Sequence, residues 1–392
     1  MLAMANKKRG SLMKTTIYLD NAATTRVDEE VIQVMLPYMT KQYGNPSAIY
    51  SLGKQAREAV ETARKQVAKA IGAQRPDEIY FVSCGSEADN MAIKGIAYAN
   101  KAKGNHIITT QIEHQAVLDT CRFLETQGFQ ITYLPVDRNG RVYLQELEKA
   151  INHQTILITI MTANNEIGTI QPIQEIAKMA KKHGIYFHTD AVQAIGNIPV
   201  HVQEWGVDAL SLSAHKFHGP KGIGALYIRN GVKCMKYMHG GHQEHNQRAG
   251  TENVAGIVGL GTAITKATQT IRQKENYVRT LRDYYIHLVQ KTMPWTFVNG
   301  DRQHRLPGNA NICFRGIEGK TLLTELDKRG IGASVGSACA AGNVNPSHVL
   351  LALGLSPQDA KSSLRITLDK HNTKEEIEYT VHVLQEIMRN IR

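Results

Sequence analysis

Ser213, His215 and Lys216 stand together at the end of an alternating apolar run, Ala209, Leu210 and Leu212, just before the Gly/Pro-rich turn Gly219-Pro220-Lys221-Gly222. A lysine at the end of a buried strand loses hydration, which lowers its amine pKa and lets it attack a carbonyl to form a Schiff base. The neighbouring hydroxyl and imidazole suit a phosphate. The same pattern also describes a lysine that snorkels to the surface before a turn, so the elements around it have to decide.

Those elements read as an α/β chain. Thr155–Ile160 is a strand-sized apolar run, Ile173, Ile176, Ala177 and Ala180 fall on one helical face, and Ile185–His188 is the next strand. Strand, helix and strand of this length imply a parallel sheet. Polar residues recur where the strands end: Ser86, His114, Asn165, Asp190 and Gln193, then Ser213 and Lys216. In an open α/β sheet that edge is where ligands bind. Gly85 permits a close backbone approach at a helix start that favours an anion, and Ser86 with Asp89 has the spacing of a capping box.

Composition narrows the class. The 392 residues are 42% hydrophobic and 21% charged, as in a globular chain of two or three domains. No apolar run reaches the length of a membrane span. The first 14 residues are basic without an apolar core, so no signal peptide is read and disorder is expected over 1–14. The five cysteines, Cys84, Cys121, Cys234, Cys313 and Cys339, form no CxxC pair. That speaks for a reducing, cytoplasmic setting and against a zinc site. His239, His242 and His245 lie three residues apart, but with no cysteine near them no metal is expected. A net charge of +11 without a long basic run predicts no stable nucleic-acid binding. The C-terminal third changes texture, with long polar helical stretches around Asn311–Phe314 and Leu364–Leu368. The reading is a large domain over 26–270 and a smaller α+β domain made of 15–25 with 271–392.

Cys339 sits in Gly332-Ala333-Ser334-Val335-Gly336-Ser337-Ala338-Cys339-Ala340-Ala341-Gly342, a run with little to bury. Such a segment suits a presented thiol. The other four cysteines lie in or beside predicted strands and helices, as structural thiols do.

Tyr18–Thr25, Gly44–Ser47, Asn164–Gly168, Ser213–Lys216 and Gly336–Cys339, in this order, resemble the group I cysteine desulfurases. These are the NifS/IscS-like members of the fold type I, aspartate-aminotransferase-like enzymes that use pyridoxal 5'-phosphate. The resemblance implies that Lys216 carries the cofactor, that Asp190 faces the pyridine nitrogen, and that His114 stacks on the ring and shuttles protons. It places Asn165 and Gln193 near the ring oxygen, and Gly85, Ser86, Ser213 and His215 around the phosphate. Thr251 would come from the other subunit of a homodimer. Arg365 would bind the carboxylate of L-cysteine, with Asn165 beside it, and Cys339 would receive the sulfur as a persulfide. The sulfur would then pass to an acceptor such as an iron–sulfur scaffold or a tRNA-thiolation relay.

The chain departs from the family pattern in places. His242, His245 and Asn246 replace two glycines and an arginine, Asp369 stands where glycine is common, and Tyr50 where histidine is common. Two other readings compete: another fold type I activity, aminotransferase or selenocysteine lyase, and a sulfur-carrier or docking subunit with impaired catalysis. Keto-acid-dependent transamination would favour the aminotransferase, and absence of the yellow cofactor would favour the docking subunit.

Overall fold

The structure is a computed structural model that describes residues 16–336 and 345–391. The extension expected over 1–14 and the candidate nucleophile Cys339 lie outside the described residues.

In chain order the strands are β1 (Ile17–Tyr18), β2 (Ile79–Val82), β3 (His106–Thr110), β4 (Gln130–Leu134), β5 (Thr155–Thr159) and β6 (Tyr186–Asp190). They continue with β7 (Ala209–Ser213), β8 (Gly224–Ile228), β9 (Phe297–Asn299), β10 (Asn309–Cys313), β11 (Ile331–Gly332) and β12 (Ser363–Thr367). The central sheet has the order β2-β8-β7-β6-β5-β3-β4. β3 to β7 pair in parallel, and β8 runs against both of its neighbours. This is the mainly parallel α/β sheet that the strand–helix–strand pattern implies.

β3, β5 and β7 are buried at every position, as central strands covered on both faces are, and their Ser, Thr and His side chains are buried with the apolar ones. Alternation still sorts their side chains. Leu210 and Leu212 join a core with helices Ser51–Ile71 and Val254–Gln269, whereas Ala209 faces the opposite core with helix Gly85–Asn100. In helix Ser51–Ile71 the buried Ala56, Val60, Ala63, Val67 and Ile71 form one apolar stripe at helical spacing, and Gly72 ends it at φ +66°.

A separate core gathers Leu19, Tyr285, Ile312, Leu364 and Leu384 around the antiparallel sheet β12-β10-β9. β1 pairs in parallel with β11, and Asp20 bridges to Thr367, so the N-terminal segment packs with the C-terminal third.

The capping box expected between Ser86 and Asp89 is absent. Helix Gly85–Asn100 starts with Cys84 at its N-cap and no side-chain cap. Ser86 is therefore already inside the first turn and cannot act as the cap. Glu87 instead accepts from the Ser83 N–H at 2.7 Å, and Asp89 turns into the buried interior. Among the described residues, no helix is long and apolar enough to cross a membrane.

Candidate active site

The carboxyl ends of β6 and β7 meet the starts of two helices, Gly85–Asn100 and Gln115–Thr126, around a cavity of about 170 Å³. Gly85, Ser86, His114, Asn165, Asp190, Gln193, Ser213, His215, Lys216 and Arg365 all line it. Parallel strands deliver their polar C-terminal residues to one edge, so residues far apart in sequence converge. Thr251 does not join them: it is exposed and lines a second cavity with Phe81, Glu244 and Arg248.

The Lys216 ammonium is held by two backbone carbonyls, donating to Ala22 O at 2.6 Å and Ala23 O at 2.8 Å. Those small residues come from the turn after β1, which is pinned by the Thr25 N–H to His215 O bond (2.8 Å) and by Gln193 Nε2 donating to Ala22 O (3.0 Å). Burial and the charges of Lys216 and Lys221 push the His215 imidazole down to about 4, so it is neutral at physiological pH. Its Nδ1 lies 3.1 Å from Thr24 Oγ1.

His114 caps its own helix. Its Nδ1 accepts from the Ala116 N–H at 3.1 Å, so on the neutral ring the proton sits on Nε2. Behind it, the buried Glu113 carboxyl accepts from Thr110 Oγ1 (2.6 Å) and the Met161 N–H (3.0 Å). Burial pushes that carboxyl up to about 8.

Asp190 accepts from the Val192 N–H at 2.9 Å. Burial raises its pKa, opposed by the charges of His114 and Lys216. Asp89, another buried carboxyl in the cavity wall, is raised further by its own burial and by the Asp190 charge. Two acids so close do not both ionise without a cation between them.

Arg365, 1% exposed, donates Nη2 to Asp20 Oδ1 at 2.7 Å and Nη1 to Asn165 O at 3.0 Å. Its buried Nε has no hydrogen-bond partner among the described residues. Asp20, Asp89, Glu113 and Cys84 escaped sequence reasoning as site residues. Asp20 could have been found because it sits inside the Tyr18–Thr25 motif. Cys84 was read as structural, yet it forms part of the cavity wall. Burial pushes the thiols of Cys234 and Cys313 up to about 12 and that of Cys121 also upward, as expected for unreactive cysteines.

The cavity fits pyridoxal phosphate. Ser213 Oγ is buried with no hydrogen-bond partner among the described residues. A Cβ added at Gly85 would come within 2.7 Å of Val192 Cγ2, so the helix start stays open to an anion only with glycine there. A protonated pyridine nitrogen is the cation that a carboxyl placed like Asp190 requires.

The departures have local explanations. Glu244, His245 and Asn246 have φ of 46°, 52° and 66°. Asn246 thus keeps the left-handed conformation that glycine would give, and asparagine tolerates it better than other side chains do. His242, at φ −93°, needs no glycine. Asp369 accepts from Lys274 Nζ at 3.1 Å and lies 3.1 Å from His218 Nε2, while His218 Nδ1 lies 2.9 Å from Arg26 O. Asp28, beside His218 and His371, also accepts from Lys370 Nζ at 3.0 Å, so Asp28 and Asp369 together form an ionic clamp. It ties the Lys216 segment to the end of the Arg365 strand.

The class-V aminotransferase family matches residues 17–380. The chain is 53% identical over 380 residues to "Cysteine desulfurase IscS" of Dictyoglomus turgidum, covering 97% of this chain and 96% of that one. It is 54% identical over 376 residues to "Cysteine desulfurase IscS" of Methanosarcina thermophila, covering 96% and 93%. A solved "NifS-like protein" superposes with a TM-score of 0.90 at 39% identity, covering 96% of this chain and all of that one. With the cavity and the strand order, these likenesses establish that the chain belongs to the class-V aminotransferase family of fold type I, and within it to the NifS/IscS-like group I cysteine desulfurases.

Proposed function

We propose that the protein takes sulfur from L-cysteine, leaves L-alanine, and passes the sulfur on as a persulfide of Cys339. The observation that carries this reading is one cavity lined by an amine (Lys216), a buried carboxyl (Asp190), an imidazole (His114) and a buried guanidinium (Arg365). Pyridoxal phosphate, when bound, supplies the electron sink that acidifies the substrate α-carbon and allows its Cβ–S bond to break.

The chain's own residues do the rest. Gly85, Ser86, Ser213 and His215 hold the phosphate, and Asp190 keeps a proton on the pyridine nitrogen. Asn165 and Gln193 bond near the ring oxygen, and His114 lies over the ring. Arg365 receives the substrate carboxylate, with Asn165 beside it, and Asp20 holds the guanidinium in place until then. Lys216 would hold the cofactor and, from the same place in the cavity, would move the substrate α-proton. The Cys339 thiolate then attacks the substrate sulfur. An S–S bond forms as the Cβ–S bond breaks, and the electron pair of the broken bond stays with the carbon skeleton, which takes up protons and leaves as alanine.

Thr251, exposed at the edge of the sheet, is assigned to the phosphate site of a second copy. The exposed Ile32, Leu36, Met39, Tyr43 and Ile49 supply an apolar face for that homodimer. A large domain is assigned to 26–270 and a small one to 15–25 with 271–392; the core around Leu19, Tyr285, Ile312, Leu364 and Leu384 supports the smaller unit, while Ile112, Val136 and Ile167 pack with Val349, Leu350 and Leu353 across the boundary. The working setting is the cytoplasm, with an iron–sulfur scaffold or a tRNA-thiolation relay as acceptor.

Peptide mass spectrometry after brief exposure of the yellow protein to L-cysteine tests this reading. One extra sulfur on the Cys339 peptide, with alanine formed, is expected; Cys339→Ala should keep the cofactor and lose both products. Full alanine turnover in that variant would overturn the assignment.

A further inference from the structure

Away from the cofactor cavity, helix Ile271–Thr292, β9 and the segment 301–306 enclose a cavity of about 240 Å³. Arg282, Arg302, Arg305, His287 and Gln290 are in its wall, together with one carboxylate, Asp283, and the apolar Ile286 and Val298.

Two of these arginines are out of water: Arg282 is 5% exposed and Arg305 4%. Arg282 shares its charge with Asp283, donating Nη2 at 2.7 Å, and its Nη1 donates to Leu306 O at 3.1 Å. Arg305 forms no salt bridge among the described residues. It donates Nε to Asp301 O at 2.8 Å, Nη1 to Asn309 O at 3.4 Å and Nη2 to Asn299 O, all backbone carbonyls. The nearby Asp301 carboxylate is already engaged by the Gln303 and His304 N–H groups, at 2.7 and 2.9 Å. A buried cation is ordinarily paired with an anion. Burial, then the charges of Arg282 and Arg302, push the Arg305 guanidinium down to about 9, against the opposing charges of Asp301 and Asp283. Each guanidinium has five N–H donors, of which three are used here, so donors remain on both.

We propose that this cavity is a binding site for a phosphate-class oxyanion, free or as the phosphate of a small organic molecule, held by Arg282, Arg302 and Arg305. Planar guanidinium forks match phosphate oxygens two at a time, and three arginines line this one cavity. The site also reaches the catalytic loop. Leu306 N–H donates to Gly168 O and Ile170 N–H to His304 O, both at 2.9 Å, and Asp301 N–H donates to Thr169 Oγ1 at 3.0 Å. A Cβ at Gly300, where φ is +83°, would come within 2.9 Å of Arg305 Nη2, Ile167 O and Thr169 Oγ1, so the two loops interlock. The same 164–170 loop carries Asn165, whose carbonyl holds Arg365. An occupant of the arginine pocket thereby stiffens the substrate-carboxylate site.

The test uses the holoenzyme, whose phosphate cup is filled by cofactor, titrated with inorganic phosphate and, in a second arm, with adenosine 5'-phosphate, against chloride at matched ionic strength. A saturable rise in melting temperature is expected with at least one probe. Binding should be about tenfold weaker in Arg302→Glu, whose exposed side chain can change without disturbing the core, and retained in Arg302→Lys. A response to phosphate alone assigns the free ion, and a response to the nucleotide alone assigns a phosphate ester. No saturable response to either probe, or an equal response in wild type and Arg302→Glu, overturns the proposal.

Discussion

Arg365, the residue proposed to bind the substrate carboxylate, is held by Asp20 and by the Asn165 carbonyl, which fix the direction of its fork. Lysine in its place would keep the charge and lose the two-point geometry. Arg365→Lys is expected to raise KM for L-cysteine by about ten- to a hundredfold, with the cofactor absorbance unchanged. Steady-state kinetics on the yellow variant checks this. Glu113 gives a pH signature at the same scale. Its folded pKa, about 8, lies above the ordinary 4.5, so the stability it contributes is complete below about 4.5 and is lost as pH rises through about 8. Glu113→Gln removes that dependence. Melting temperatures of the variant should gain on wild type between pH 5 and 8, and parallel profiles would show that Glu113 does not titrate in this range.

The loop 240–253 is anchored by two ion pairs, Arg248 with Glu87 at 2.8 Å and the more deeply buried Arg64 with Glu244. Arg64, in helix Ser51–Ile71, forks onto Glu244 at 2.8 and 3.0 Å, and Glu244 also accepts from the Phe81 N–H at 2.7 Å. Both side chains are 3% exposed, and Glu244 holds a left-handed φ, so the contact fixes a backbone that would otherwise relax. Removing one partner leaves a buried charge. Glu244→Gln is expected to cost about 3 kcal/mol in chemical denaturation. Because Thr251 lies on the same loop, cofactor release should also quicken in the dimer. An unchanged release rate alongside the lost stability would confine the pair to a structural role.

At the scale of the whole molecule, the cofactor cavity lacks Thr251, and an apolar face is exposed on helix Glu29–Thr40. Light scattering is expected to give a dimer, and Thr251→Ala should weaken cofactor retention several-fold without dissociating it, as loss of one hydrogen bond to a charged group would. A fully active monomer would remove the role given to Thr251. The ionic clamp at Asp369 works at this scale too, since it joins segments from both main cores: His218 two residues beyond Lys216, and Asp369 four residues beyond Arg365.

The sequence by itself determined the elements and most of the site. Apolar runs such as Thr155–Thr159 and the Ala56–Ile71 stripe carry local periodicity, and strand-end residues such as Asp190 and Lys216 follow from where those runs stop. Tertiary structure alone decided the pairings between distant segments. Asp20 with Arg365, Glu244 with Arg64 and Asp369 with His218 are separated by 345, 180 and 151 residues. No local pattern encodes such contacts, because a buried charge is satisfied by whichever partner the fold brings to it. Asp89 shows the limit most clearly: its spacing from Ser86 matches a helix cap, and only the packing of helix Gly85–Asn100 against the sheet turns it beneath the cavity beside Asp190.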